Sequence, residues 1–572
     1  MKLNIFKISI AACCAALSLT ASAQNLDPTV VVNRAYEGRL LEVNKPLMEM
    51  AVPDSIQRFD LEFDYSVFEN PYKGSYEFKP YQLLLKPVSA DVHQSAFRLK
   101  AGAGYSLYPE VDAVWTPLQS GPFKMSVYGN YGGYFGSYRS FRPMSSNGGD
   151  VILGRWERDD KATAYWKGYR MRTVAGVDGR YDWEKSAFSF DLAYYGVAAK
   201  DTLKKRSFNA LDVSLKMASK PRNEQYFHYD VDVDYRYGND DIEYMSGPDG
   251  LSEHLFSVGA KMGPVMPSTD RLLFDVGYEM ASYTGAVSAS VGQIVFSPHY
   301  LISRDRWNFD LGLKLAKIFR LQNSEMYKAK DQVIYPDIRI RYAAIENALA
   351  LYLNVGGGNR LNTYSYLLEK NHFADPSFGR NSYLLDADVE RIALRIGFDG
   401  RISKRFSYDI HAGYVNYANA LLDAVAFEGG RYLSGYGYAP YQKLYAGIDW
   451  NCNAESISFE GSAEYAYAVI EKGLGLFSPA SVKGDVSVEY NWNRRVYVGV
   501  DCDFSTRRRG SIESVLSVIP AYADLGLNAE YAVSRKFSIW LRGGNLLNMT
   551  IQRSPLYAEK GINFTAGICL NL

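Results

Sequence analysis

The chain has 572 residues with 63 basic and 63 acidic side chains, and its aromatic content is dominated by 46 tyrosines. A chain of this length exceeds one ordinary soluble core unless it closes into a barrel or repeats. Its charge balance gives no electrostatic reason to expect nucleic acid as a partner.

Residues 1–23 read as a secretory signal peptide. Lys2 and Lys7 form the basic end, Ile8–Leu19 the apolar stretch, and Ala21-Ser22-Ala23 a small-residue cleavage site before Gln24. A lipoprotein reading of Ile10-Ala11-Ala12-Cys13 competes, but Lys7 leaves it a very short apolar run. Past this segment only Cys452, Cys502 and Cys569 remain. Far apart and odd in number, they imply neither a disulfide framework nor a metal site. No later stretch is apolar for the roughly eighteen residues that a membrane-spanning helix needs.

Residues 24–93 form a separate N-terminal segment. In it Phe59, Leu61, Phe63 and Tyr65 alternate with Asp60, Glu62 and Asp64, and the aromatic-rich stretch Tyr72–Tyr81 follows. From residue 94 to 572 one pattern repeats: period-two strands of about ten residues, the length of a transmembrane barrel strand. Tyr229, Val231, Val233, Tyr235 and Tyr237 alternate with Asp230, Asp232, Asp234 and Arg236. Ile338, Ile340 and Tyr342 alternate with Arg339 and Arg341. The closing segment sets Ile562, Phe564, Ala566, Ile568, Leu570 and Leu572 against Asn563, Thr565, Gly567 and Asn571. Successive strand side chains point to opposite faces, so each segment has one apolar and one polar wall. Counted through, the pattern predicts an all-β antiparallel barrel of about twenty-two strands, the first at 94–103 and the last at 561–572.

Alternation alone does not separate a membrane barrel from a soluble sandwich; the connections do. Counted back from the C-terminus, alternate connections are tight: Ser534–Lys536, Asn493–Arg495, Asn451–Glu455, Ser403–Arg405, Ile345–Asn347, Ser303–Arg306, Pro267–Asp270, Ser219–Glu224 and Trp183–Ser186. The long ones, 136–167, 358–385, 418–435, 506–518 and 550–560, all fall between them. Short periplasmic turns against long external loops is the outer-membrane barrel pattern. The expected location is therefore a cell outer membrane, in contact with its lipid and lipopolysaccharide. Trp307, Phe406, Tyr497 and Phe537 follow tight turns, where an aromatic girdle is expected. The same register turns Asp230, Asp232, Asp234, Asp310, Lys314, Arg339, Arg341, Arg395, Asp409, His411, Asp501, Asp503 and Glu530 towards the lumen. Arg507-Arg508-Arg509, in an external loop, is a candidate contact for lipopolysaccharide phosphates.

Gly544-Asn545-Leu546-Leu547-Asn548, followed by Pro555, Tyr557, Gly561 and a closing strand with Phe564, resembles the end of TonB-dependent receptors. The resemblance implies a receptor-type barrel over 94–572, in the style of Bacteroidetes outer-membrane proteins. Asp27-Pro28-Thr29-Val30-Val31-Val32 is similar to a TonB box, which in that family pairs with the energy-coupling protein as an added strand; Thr29, Val30, Val31 and Val32 are the candidates. The chain departs from the family in one respect: 24–93 is too short for a full plug, and is expected to fold under or inside the barrel and occlude it in part.

Catalytic chemistry is not expected. His93, His228, His254, His299, His372 and His411 show no metal-ligand spacing, and there is no nucleophile elbow or phosphate-binding glycine loop. Two functions remain: uptake of a solute through a receptor-type barrel with TonB as partner, or a plug-reduced barrel serving as a non-transporting scaffold among other envelope proteins.

Overall fold

Period-two runs rich in Tyr, Val and Ile pair antiparallel because each buries one wall and satisfies its amides across both edges. The computed structural model describes residues 96–572, apart from 106, 141–143, 146–150, 153–164, 202–204, 221–226, 242–249, 265–269, 286–287, 323–331, 347, 375–384, 404, 429–430, 472–474 and 513–514. The signal peptide, the segment 24–93 and the box-like Thr29–Val32 lie outside the described residues.

One sheet holds twenty-two strands. In chain order they are β1 (Phe97–Gly104), β2 (Tyr108–Leu118), β3 (Phe123–Arg139), β4 (Tyr165–Asp182), β5 (Ser186–Lys200), β6 (Lys205–Ser219), β7 (Phe227–Asp240) and β8 (Leu251–Pro264). There follow β9 (Arg271–Gly285), β10 (Ala289–Arg304), β11 (Trp307–Gln322), β12 (Ile334–Ile345), β13 (Leu349–Leu361), β14 (Ala387–Ser403), β15 (Phe406–Glu428) and β16 (Arg431–Asn453). The last are β17 (Ile457–Ile470), β18 (Val482–Trp492), β19 (Val496–Ser505), β20 (Tyr522–Ala532), β21 (Phe537–Gly544) and β22 (Asn563–Asn571). A short helix, α1 (Tyr364–Lys370), interrupts the connection between β13 and β14.

Each strand pairs antiparallel with its chain neighbours, and β1 pairs with β22, so the sheet closes. Phe97 N–H donates to Leu572 O at 3.0 Å and Leu572 N–H returns to Phe97 O at 2.8 Å. The seam is packed by Trp540, whose indole N–H donates to Ile568 O at 3.2 Å. Its ring lies over the cross-strand pair Gly102 and Gly567. A Cβ at Gly102 would sit 2.4 Å from that ring, so the close approach requires glycine.

The ten connections on the C-terminal side run no longer than 220–226, whereas 140–164, 323–333, 362–386, 471–481, 506–521 and 545–562 lie on the other side. The turn parity read from the sequence is that of the fold. One loop is not: 418–435 is the paired outer end of β15 and β16, which continue together to Glu428↔Arg431. A small second sheet joins Arg508–Ile512 and Val515–Ile519 to Val151–Ile152 and Met144–Ser145 on this side. Arg508 is not turned outwards: its guanidinium pairs with Asp423 and donates to Arg553 O at 2.9 Å.

The outward face carries large apolar side chains left exposed, among them Leu211, Leu215, Met217, Tyr235, Tyr237 and Phe256. Near the tight turns Trp307 stacks on Phe309 at 5.4 Å and meets Tyr342 at 4.5 Å, while Phe406 lies beside Tyr408. Tyr497 is different from the expected girdle residue. It shares a recess with Asp501, Asn528 and Glu530, on the polar face, because its register partner is Glu530.

Leu211 stands near the middle of β6 on the apolar wall. Leu211→Arg is expected to cost about 2–4 kcal/mol in a lipid bilayer, read from denaturant titration of the folded barrel, whereas Ser214→Arg on the opposite wall is tolerated.

Candidate functional site: the segment folded into the barrel mouth

The long connection after β13 turns back into the barrel. Thr363 starts α1 from an extended conformation, and its hydroxyl accepts the Tyr366 N–H at 3.3 Å, the usual way to satisfy a free donor of a first turn. Glu253, on β8, accepts the N–H groups of Tyr364 at 2.9 Å and Ser365 at 3.3 Å. A carboxylate there also meets the positive end of the helical dipole. The Tyr364 hydroxyl donates to Asp240 at the end of β7, and Tyr364 packs edge-on against Phe208 of β6 at 5.9 Å.

The segment leaving the helix is held as firmly. Arg206 is 2% exposed and Asp240 and Glu253 are fully buried. Arg206 Nε lies 3.1 Å from Asp240, and its terminal nitrogens donate to His372 O at 2.9 Å and Ala374 O at 2.6 Å. On the far side, the Tyr436 hydroxyl of β16 donates to Leu367 O at 3.3 Å, and Asn371 Nδ2 donates to Ser434 Oγ at 3.4 Å. Phe373 stacks on Tyr557 at 4.6 Å and meets Tyr138 and Trp166 edge-on. A segment that touches β3, β4, β6, β7, β8 and β16 together lies inside the ring of strands. The wall bearing Arg206, Asp240 and Glu253 is therefore the inner one. Leu367, Leu368 and Leu385 join Phe208, Leu251 and Tyr283 in a buried apolar cluster at this level.

His372 is neutral in this setting. Burial, with Arg170, Arg206 and Arg172 adding to it, pushes the imidazole down from 6.5 to about 3.

The sequence-read lumen candidates share the inner wall but do not form one site. Asp230 pairs with Lys216 at 3.1 Å, Asp232 is its neighbour two positions on, and Asp234 accepts from Ser257 at 3.3 Å. Asp501 accepts from Ser487 at 3.0 Å and Asn528 at 3.2 Å, and Asp503 holds Arg553 at 2.5 Å. Arg339, Arg341 and Asp409 do come together, lining a recess of about 890 Å³ with Asp310, Arg395 and Asp399. Arg341 clamps Asp399 with two bonds of 2.7 Å. Asp409, His411 and Asp449 bring one ligand atom each within 4.8 Å of one another, a spacing that suits a cation. Arg395 already supplies the charge there: it lies 2.9 Å from Asp409, 3.1 Å from His411 Nδ1 and 3.9 Å from Asp449. Sequence reading missed Arg206, Asp240, Glu253 and α1. The short run Tyr364–Lys370 carried little helical signal, and Arg206, Asp240 and Glu253 lie near strand ends more than a hundred residues away.

No protein-family model matches the chain, and no curated protein sequence matches it. Solved structures do match. A copper transporter, OprC, aligns with a TM-score of 0.57 at 11% identity, over 84% of this chain and 80% of its own. The siderophore receptor PiuA from Acinetobacter baumannii aligns with a TM-score of 0.58 at 10% identity, over 83% and 81%. The FrpB iron transporter from Neisseria meningitidis aligns with a TM-score of 0.59 at 10% identity, over 83% and 81%. The chain has the fold of these receptor and transporter barrels, and its apolar outer wall places it in the outer membrane.

Arg206→Met strands Asp240 without its buried cation. The substitution is expected to cost the docked segment about 3–5 kcal/mol, seen as faster amide exchange over 362–374 with the barrel unchanged. Acid has the same effect through His372. Its docked form resists the proton that the undocked form accepts below 6.5, so the undocked fraction grows up to about tenfold per pH unit from 6.5 towards 3. His372→Asn should flatten that exchange profile.

Proposed function

We propose that this chain is an outer-membrane receptor barrel of the TonB-dependent type, which takes up a solute in an energised step. The observation that carries the reading is a twenty-two-stranded barrel whose outer mouth holds the chain's own segment, in a fold shared with a copper transporter, a siderophore receptor and an iron transporter. A barrel of this strand number is wide enough to leave an aqueous passage unless something fills it. In this reading the docked segment, held by a buried ion pair and hydrophobic packing, stands in the way of simple diffusion. Passage then requires a bound solute or an energy source to move the segment, and the likeness of Gly544–Asn548 to the family's closing motif agrees with that.

In this reading Thr29–Val32 is the strand that an energy-coupling partner adds to its own sheet, with 24–93 as a reduced coupling segment. The ion-paired inner wall, including Asp230, Asp232, Asp234, Arg339, Arg341, Asp409, His411, Asp501 and Asp503, is the polar surface along which the solute moves. The role is transport and not catalysis.

The test is capture from native membranes in mild detergent. The full chain is expected to retain the periplasmic domain of the energy-coupling protein, and Val31→Pro, which removes a backbone donor and fixes φ, is expected to lose at least nine-tenths of it. A stable assembly of other envelope proteins, unaffected by Val31→Pro, would overturn the reading in favour of a scaffold.

A further inference from the structure

Between the inner wall at β2, β3 and β4 and the folded-in segment lies a cavity of about 210 Å³. That is smaller than the ~300–1,000 Å³ clefts that hold drug-sized ligands. Its aromatic surface is made by Tyr108, Tyr134 and Tyr138, the last two meeting edge to face at 5.1 Å. Its cations are Arg170, Arg172 and Lys560.

The ion pairs of the two arginines are loose, and Arg172 and Lys560 lie over the rings of Tyr195 and Tyr108. Arg170 meets Glu559 at 3.5 Å and Arg172 meets Glu369 at 3.5 Å, and both arginines are half-exposed. A tight charge-assisted bond runs at about 2.7–2.9 Å, as Arg341 and Asp399 show elsewhere on the wall. Arg172 Nε is buried without a hydrogen-bond partner among the described residues. Lys560 has no ion pair among them either; its ammonium sits 3.4 Å from the centre of the Tyr108 ring. Opposite Arg172 in the β3–β4 register stands Gly132, where an added Cβ would meet nothing within 4 Å, so the wall beside Arg172 leaves open space.

We infer that this cavity binds a small organic anion, with its carboxylate or phosphate on Arg170 and Arg172 and a ring-shaped body against the tyrosines. Aromatic faces accept such a body, and paired guanidinium groups recognise the planar oxyanion. Glu369 belongs to α1 and Glu559 to the last external connection, so an entering oxyanion displaces carboxylates that help hold both segments in the mouth. Binding and loosening are thereby coupled, because the ligand favours the state in which those carboxylates have let go. The inference deepens the uptake reading by naming a substrate class, and rests on that reading for its biological meaning.

Isothermal titration of the full chain in detergent micelles tests it, with glucuronate, benzoate and inorganic phosphate as probes and glucose as the uncharged control. Glucuronate or benzoate is expected to bind with Kd below about 1 mM, and glucose not at all. R170Q/R172Q should weaken binding at least tenfold while keeping heat-modifiable gel mobility, and Lys560→Gln several-fold. The inference fails if no anion binds the wild-type chain, if glucose binds equally, or if both variants bind as the wild type does. The titration needs no energised membrane. Anion binding without capture of the coupling partner would leave an anion site on a scaffold barrel, and capture without anion binding would leave a receptor for another solute.

Discussion

An amide group facing hydrocarbon has no water to bond to, and each one left unpaired costs several kcal/mol. That constraint decides the architecture. A sheet in lipid has to close, and here β1 and β22 close it with reciprocal bonds between Phe97 and Leu572 and a tryptophan set over two glycines. Once twenty-two strands have closed, the inner wall surrounds more space than its own side chains fill. The apolar outer wall and the ion-paired inner wall are two consequences of one closure.

The remaining space explains the folded-in segment. Its apolar residues, Leu367, Leu368 and Phe373, have a place to be buried only because the mouth offers Phe208, Leu251, Trp166 and Tyr557. Its polar backbone is answered by charged groups brought in from the wall: Glu253 at the start of α1, Arg206 at the carbonyls that follow it, and Asp240 between Arg206 and Tyr364. A buried cluster of this kind contributes little net stability when complete and costs much when one member is removed. Removing any one member therefore destabilises the docked segment out of proportion to what the complete cluster contributes.

Much of this was legible in the sequence because strand pairing in a barrel is local. Asp230, Asp232 and Asp234 against Val231, Val233 and Tyr235 fix which wall each residue joins, and the turn at Asn493–Arg495 against the connection 506–521 fixes which side it lies on. Errors arose where local pattern and register disagree. Tyr497 has the look of a girdle residue, following a tight turn, yet its pairing with Glu530 assigns it to the inner wall. Residues 418–435 are rich in alanine, glycine and leucine and read as a loop, but β15 and β16 support each other's amides well past the neighbouring strands.

By itself the sequence determined the strand number, the alternation of short and long connections and the polarity of the two walls, since each is a property of neighbouring residues or of a period of two. The tertiary structure alone decided that the connection after β13 occupies the mouth, that Arg206, Asp240 and Glu253 hold it, and that Arg170, Arg172 and Lys560 share a cavity with three tyrosines. Those groups come from strands and connections widely separated in the chain. No periodicity encodes their meeting; it follows from the curvature of the closed ring, which turns distant strand ends to face one another across a common interior.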